Sequence, residues 1–149
     1  MTMTRRLEFD DMTAAATVLR TAFDERLPWL AGRYSAVQDR SFFQDRVFKD
    51  CTVWGAFENG KLAGIIAFRE GWIDQLYVLP GAQRRGVGTS LLRIAQTNFP
   101  RLSLWTFQRN EPARRFYETR GFVLVEETDG RGNDEREPDA LYRWDRDSK

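Results

Sequence analysis

Seven residues near the middle of the chain, Gln83-Arg84-Arg85-Gly86-Val87-Gly88-Thr89, restrict the fold more than any other stretch. They follow a strand-like run over residues 72–78 and precede a helix-like run over residues 90–96. The first N–H groups of a helix have no intrahelical partner, and the helix dipole concentrates partial positive charge at that end. Gly86 and Gly88 lack a Cβ, so backbone there can come close to a ligand. Arg84 and Arg85 add two positive charges. A strand feeding a basic glycine loop and a helix therefore predicts an α/β unit that holds a phosphate-bearing anion.

The spacing narrows the choice of anion. The nucleotide P-loop requires a lysine and then Ser or Thr after its last glycine, whereas Thr89 follows Gly88 directly. The dinucleotide fingerprint needs a third glycine, and Leu91 stands there instead. What remains is Gln/Arg-x-x-Gly-x-Gly/Ala. By itself this would also suit an ordinary strand–turn–helix connection with surface arginines.

A second segment, residues 110–122, reads as one helix marked at both ends. Asn110 suits the N-cap, Pro112 the first turn, and Gly121 the position just past the end. Asn110, Ala113 and Tyr117 are three and then four residues apart, which puts them on one helical face. With the glycine loop upstream and one strand candidate between, the chain resembles the GCN5-related N-acetyltransferase (GNAT) superfamily. The resemblance covers nearly the whole chain. It implies that residues 83–89 grip the pyrophosphate of coenzyme A. It also implies that Asn110, Ala113 and Phe116 line the cofactor arm, and that Tyr117 lies near the sulfur. Read without the resemblance, Tyr117 is a half-buried aromatic packing its helix on the sheet.

The remaining elements can be placed from pattern. Residues 5–9 read as a strand. Asp10 or Asp11 then caps a helix in which Met12, Ala15, Ala16, Leu19 and Phe23 share a face, ended by Pro28. A second helix spans residues 36–49. Strands over 51–57 and 62–68 are joined at Asn59-Gly60, a strong hairpin signal because both residues tolerate positive φ. Strands follow over 72–78, 102–107, 122–127 and 140–144, with the two motif helices interleaved. The order β-α-α-β-β-β-α-β-α-β-β predicts an α/β (α+β) domain, a mixed central sheet flanked by helices, with residues 1–149 forming a single domain. It is also the GNAT order. The resemblance, not the periodicity, implies that the strands at 72–78 and 102–107 run parallel and splay apart around the cofactor arm.

Composition removes whole classes of chemistry. The chain has no histidine, which excludes a histidine base, a Ser–His or Cys–His nucleophile and a histidine metal ligand. One cysteine cannot form an internal disulfide or a thiolate zinc site, and it suits a reducing, cytoplasmic setting. A net charge of +1 gives no broad drive toward nucleic acid or membrane. The first residues carry charge without an apolar run, so no signal peptide is expected.

Acetyl transfer from acetyl-CoA to a primary amine, the activity the resemblance implies, needs a held donor, a polarised thioester, a deprotonated amine and a protonated leaving sulfur. Holding is expected from Gln83, Arg84, Arg85, Gly86, Val87, Gly88 and Thr89, with Leu76, Tyr77 and Val78 along the arm. A backbone N–H at Val78 or Tyr77 is expected to polarise the carbonyl, freed by a strand bulge that the resemblance implies there. Tyr117 is the expected acid, and Glu70 or Asp74 the expected base, acting through water. Glu70 could equally solvate the turn beside Gly71, and Asp74 could support the strand. Phe23, Trp29, Tyr34, Trp72 and Trp105 are candidate acceptor walls, and the acidic run 128–139 a candidate cover. The acceptor is a small-molecule or peptide amine. The last strand offers an edge for a homodimer. Two other readings remain: a catalytically silent acyl-CoA-binding module on the same fold, and a small kinase or nucleotide binder.

Overall fold

The computed structural model describes residues 2–148. One seven-stranded sheet, in the order β1-β2-β3-β4-β5-β7-β6, organises the chain. Its strands are β1 (Thr2–Arg6), β2 (Thr52–Glu58), β3 (Lys61–Arg69), β4 (Trp72–Val78), β5 (Arg101–Phe107), β6 (Val123–Glu127) and β7 (Asp139–Asp145). The helices are α1 (Met12–Arg26), α2 (Ala36–Phe42), the single turn α3 (Phe48–Asp50), α4 (Val87–Asn98) and α5 (Glu111–Glu118). A π-helical stretch, Phe43–Val47, joins α2 to α3. All neighbouring strands are antiparallel except β4 and β5.

The helices cover the sheet on two faces, each with its own core. On one, Leu91, Leu92 and Ala95 of α4 pack with Ile66, Ile73, Leu102, Leu104 and Tyr142. On the other, Met12, Ala15, Ala16 and Leu19 of α1 pack with Phe43, Val47, Val53 and Ile65. The three- and four-residue spacings in α1 produce this stripe. β3 is buried along six consecutive residues, as expected for a strand covered on both faces. The β2–β3 turn has φ of 53° at Asn59 and 78° at Gly60, the two positive values a tight hairpin demands.

Two expectations need correction. The first strand is Thr2–Arg6 and not residues 5–9. Its residues are mostly exposed and show no apolar alternation, so ladder pairing with β2 defines it. Phe9–Asp11 form a 3₁₀ turn instead, closed by the Asp11 carboxylate accepting from the Glu8 N–H at 2.7 Å. The final strand is not an edge. β7 inserts between β5 and β6, so the fully exposed β6 is the edge on that side and β1 the edge on the other.

The β6–β7 connection folds tightly on itself. Gly130 has φ of 85°, and a Cβ there would stand 2.4 Å from the carbonyl carbon of Glu137. Gly130→Ala should therefore cost at least about 1–3 kcal/mol through left-handed strain, with the backbone clash added. A fall in the thermal unfolding midpoint, with far-ultraviolet dichroism retained, is the expected observation.

Candidate functional site

The site begins where two parallel strands part. Trp72 and Ser103 form the registered pair between β4 and β5, and the Ser103 N–H donates to Gly71 O at 2.8 Å. Beyond it the strands diverge, because β5 is paired along its whole length with β7, from Arg101↔Asp145 to Phe107↔Asp139. A cavity of about 1100 Å³ lies along the gap.

Which amides face this gap follows from the ladder. The Leu79 N–H donates to Ala63 O at 2.8 Å, on the same edge as the pairs Gly64↔Val78 and Ile65↔Tyr77. Antiparallel partners alternate between bonded and non-bonded pairs, so Tyr77 bonds to β3 while Leu76 and Val78 direct their N–H and C=O groups at the gap. Gln83 Nε2 donates to the Val78 carbonyl at 2.9 Å, which leaves the Val78 N–H. Of the two amides expected to be free, geometry thus favours Val78 over Tyr77. The bulge is elsewhere than expected. The register passes from Phe68↔Ile73 to Ala67↔Gln75, so Asp74 is the extra residue. Divergence of the strands, not a bulge at Val78, opens the amides. The bulge lets Ile73 and Leu76, three apart, both pack in the α4-side core.

The glycine loop supplies an anion cradle. Gly86 (φ 80°) caps α4, and nothing lies within 4 Å of a built Cβ, so backbone conformation and open approach both call for glycine. Arg84 is also left-handed, at φ 66°. The N–H groups of Val87, Gly88 and Thr89 open the helix. Gly88 is small for a different reason: its Cβ would stand 3.2 Å from the Phe116 ring on α5. Gln83, Arg84, Gly86, Gly88 and Thr89 line the cavity. Arg85 does not: it lies 3.6 Å from Glu58. The Val87 side chain is buried in the core, so it can offer only its amide.

Three arginines outside the glycine loop also line this region. Arg120 lies 3.8 Å over the Phe116 ring and donates to Thr89 Oγ1 from Nε at 3.1 Å and Nη2 at 2.9 Å. Arg115, on α5, lines the cavity as well. Arg26, in the last turn of α1, donates to the Gln83 side chain. Contacts 31 and 57 residues apart leave no periodic trace.

On α5, the Asn110 side chain accepts from the Ala113 N–H at 3.3 Å, as an N-cap should. Ala113, Phe116 and Tyr117 line the cavity with it. The Tyr117 ring sits between Phe116 and Phe122, each 5.4 Å away. Its hydroxyl has no side-chain partner among the described residues, yet no fully buried side-chain N or O there lacks one. The hydroxyl therefore opens onto the cavity. Burial, with Tyr77 nearby, pushes its phenol above the usual 10.0.

The carboxylates differ in accessibility. Glu70 is exposed in the β3–β4 turn and outside the cavity lining, at the end of the hairpin away from Val78. Asp74 reaches the lining but accepts from Arg69 at 2.7 and 3.2 Å and from Cys51 Sγ at 3.3 Å. Burial and the Asp74 charge push the Cys51 thiol up to about 12. Of the aromatic walls, Phe23 and Trp105 line the cavity; Trp72 lies under Arg69 instead.

The 128–138 segment is clamped by a residue that sequence reading passed over. Glu137 is 4% exposed and accepts from Arg109 Nε and Nη2, both at 2.8 Å, and from Trp29 Nε1 at 3.1 Å. Arg109 stacks 4.1 Å over the Trp29 ring. Three connections meet there: α1–α2, β5–α5 and β6–β7. The Arg109 guanidinium holds the Glu137 carboxyl below its ordinary 4.5, so this pair stabilises the fold above that pH and the contribution fades as pH falls through the lowered value. In Arg109→Ala a buried carboxylate loses its partner. The urea midpoint should drop at pH 7, and the gap to wild type should narrow below about pH 4.5 as the carboxyl protonates.

Comparison with known proteins gives a consistent picture. The model of the acetyltransferase (GNAT) family matches residues 17–122. Peptidyl-lysine N-acetyltransferase YiaC of Escherichia coli K12 is 36% identical over 84 residues, 56% of this chain and 58% of that protein. The match thus spans little more than half of that relative's length. Among solved structures, apo YjaB of Escherichia coli superposes with a TM-score of 0.80 at 18% identity, covering 97% of both chains. The PaiA N-acetyltransferase of Thermoplasma acidophilum, in complex with coenzyme A, gives 0.72 at 20% identity, covering 97% of this chain and 99% of that one.

Proposed function

Because the chain belongs to the GNAT acetyltransferase family, we propose that it is a single-domain N-acetyltransferase that transfers the acetyl group of acetyl-CoA directly to a primary amine. One observation carries this reading: the open Val78 N–H lies in a gap bordered by an anion cradle and by the Tyr117 hydroxyl. The residues present fit the donor. The α4 amides, Arg84, Arg115 and Arg120 suit its phosphates, and the exposed polar edge of β4 suits its amide-bearing arm. Arg120, by occupying the Thr89 oxygen, leaves the Thr89 hydroxyl hydrogen for an anion.

Bound acetyl-CoA would supply an activated thioester: the acceptor ammonium loses one proton to water, the neutral amine bonds to the acyl carbon as the C–S bond breaks, and the second proton shed by the nitrogen ends on the sulfur, which leaves as thiol. The Val78 N–H is aimed to donate to the acyl oxygen as it gains charge. Tyr117 Oη holds a proton at neutral pH. A raised phenol pKa widens the gap to a thiol of about 8.5, so Tyr117 acts by hydrogen-bonding the departing sulfur more than by complete transfer. Asp74, engaged by Arg69 and Cys51, suits support of the bulged strand better than proton removal, and Glu70 has no access. The partner amine is a small molecule or a peptide; the name of the YiaC relative favours a peptidyl lysine. Neither nucleic acid nor membrane is a partner, and the reaction takes place in the cytoplasm, where a free thiol such as Cys51 persists.

Two experiments test the reading. Calorimetric titration of acetyl-CoA should give binding to wild type and none to Gly86→Glu, in which a carboxylate enters the anion cradle. Tyr117→Phe should retain acetyl-CoA affinity and lose about 10²-fold in kcat. Unchanged kcat would remove the tyrosine from the chemistry, and binding without turnover of any amine would favour the silent acyl-CoA module.

A further inference from the structure

Among the described residues, three carboxylates line the cavity: Asp74, Asp139 and Glu135. Two are engaged. Asp74 is held by Arg69. Asp139 accepts from the Thr128 hydroxyl and, at 3.1 Å, from Asn133 Nδ2. Glu135 is different. It makes no ion pair among the described residues; its one side-chain hydrogen bond there is from the Tyr34 hydroxyl at 3.4 Å, and the Arg33 guanidinium beside that hydroxyl donates to Asp134 O. The cavity-lining arginines are committed elsewhere or lie on other elements: Arg26 at Gln83, Arg84 on the glycine loop, Arg115 on α5 and Arg120 in the turn that follows it.

The backbone around Glu135 is fixed in advance. Asn133 Nδ2 donates to Glu137 O at 2.8 Å, and the Glu137 N–H donates to Asn133 Oδ1 at 3.2 Å, closing a turn with Glu135 at its middle. The buried Glu137 then anchors that turn to Arg109 and Trp29. In the same lining Phe23 and Phe107 meet edge to face at 6.1 Å, beside Leu27, and the Arg20 guanidinium 5.3 Å over the Phe23 ring is already paired with Asp24 and Asp39. Glu135 is thus a half-buried carboxylate without an ion pair among the described residues, set in a closed turn on the cavity lining. Burial and the Glu135 charge also raise the phenols of Tyr34 and Tyr77, keeping both neutral.

We propose that Glu135 receives the ammonium group of the acceptor and that the acceptor is an alkylammonium on an apolar stem, lying along Phe23 and Phe107. This rests on the acetyltransferase reading and adds its substrate class. A lysine side chain, a polyamine and a peptide N-terminus share this charge and differ in the stem, so the wall selects among them.

The test is thiol release from acetyl-CoA with four probes: Nα-acetyl-lysine methylamide, spermidine, a dialanine amide and an uncharged arylamine. Wild type should use at least one cationic probe in preference to the arylamine. Glu135→Gln should raise KM for that probe about tenfold, as expected for a lost charge-assisted hydrogen bond, and leave acetyl-CoA affinity by calorimetry unchanged. Glu135→Asp should recover part of the loss. An unchanged KM in Glu135→Gln, preference for the arylamine, or no turnover of any cationic probe by a protein that binds acetyl-CoA would overturn the assignment. Failure of wild type to bind acetyl-CoA would instead overturn the donor reading beneath it.

Discussion

Continuous pairing between β5 and β7 is the constraint on which the site depends. Seven registered pairs commit β5 to its antiparallel neighbour, while one registered pair joins it to β4. A sheet cannot twist so as to keep both neighbours fully bonded when one of them diverges, and the fully bonded side determines where β5 goes. The cost is a set of main-chain groups on β4 without sheet partners. In a buried strand that would be a defect. Along a cavity it becomes a ready polar edge, and Gln83 accounts for one of these groups by bonding the Val78 carbonyl.

The rest of the site is arranged around that edge by helices whose own ends are well made. Gly86 starts α4 and Asn110 starts α5, so one helix presents amides and the other presents Tyr117. The side-chain network behind α5 is also complete. Tyr142 donates to Glu118 at 2.6 Å and accepts from Arg114 at 2.9 Å, which ties the helix to β7. Tyr117 is therefore positioned from behind by groups that never reach the cavity.

How much of this could be read in the chain depends on the range of each interaction. Asn59-Gly60, Asn110 and Gly121 act within a few residues, and each carries a turn or cap recognisable from residue type. Amphipathic spacing marked α1 because its large apolar side chains repeat on one face. β1 lacks such a pattern, since pairing with β2 defines it. The Glu137–Arg109–Trp29 clamp joins residues up to 108 apart, and the Arg120–Thr89 contact spans 31. Spacing rules do not see such distances. The asymmetry between Glu135 and its acidic neighbours was likewise hidden, because a run of acids shows charge without showing which member is already paired.

The meeting of Gly88 with Phe116 has a mechanical consequence. One missing methyl lets the ring of one helix rest on the first turn of the other, and the residue beside that ring is Tyr117. Grip on the phosphates and placement of the phenol are then two readings of a single interhelical distance. Any side chain at position 88 would act as a spacer, altering both ends of the donor site together. Changes at 88 and 116 should therefore be energetically coupled rather than independent, and only exchanges that preserve their combined volume would leave the gauge unchanged.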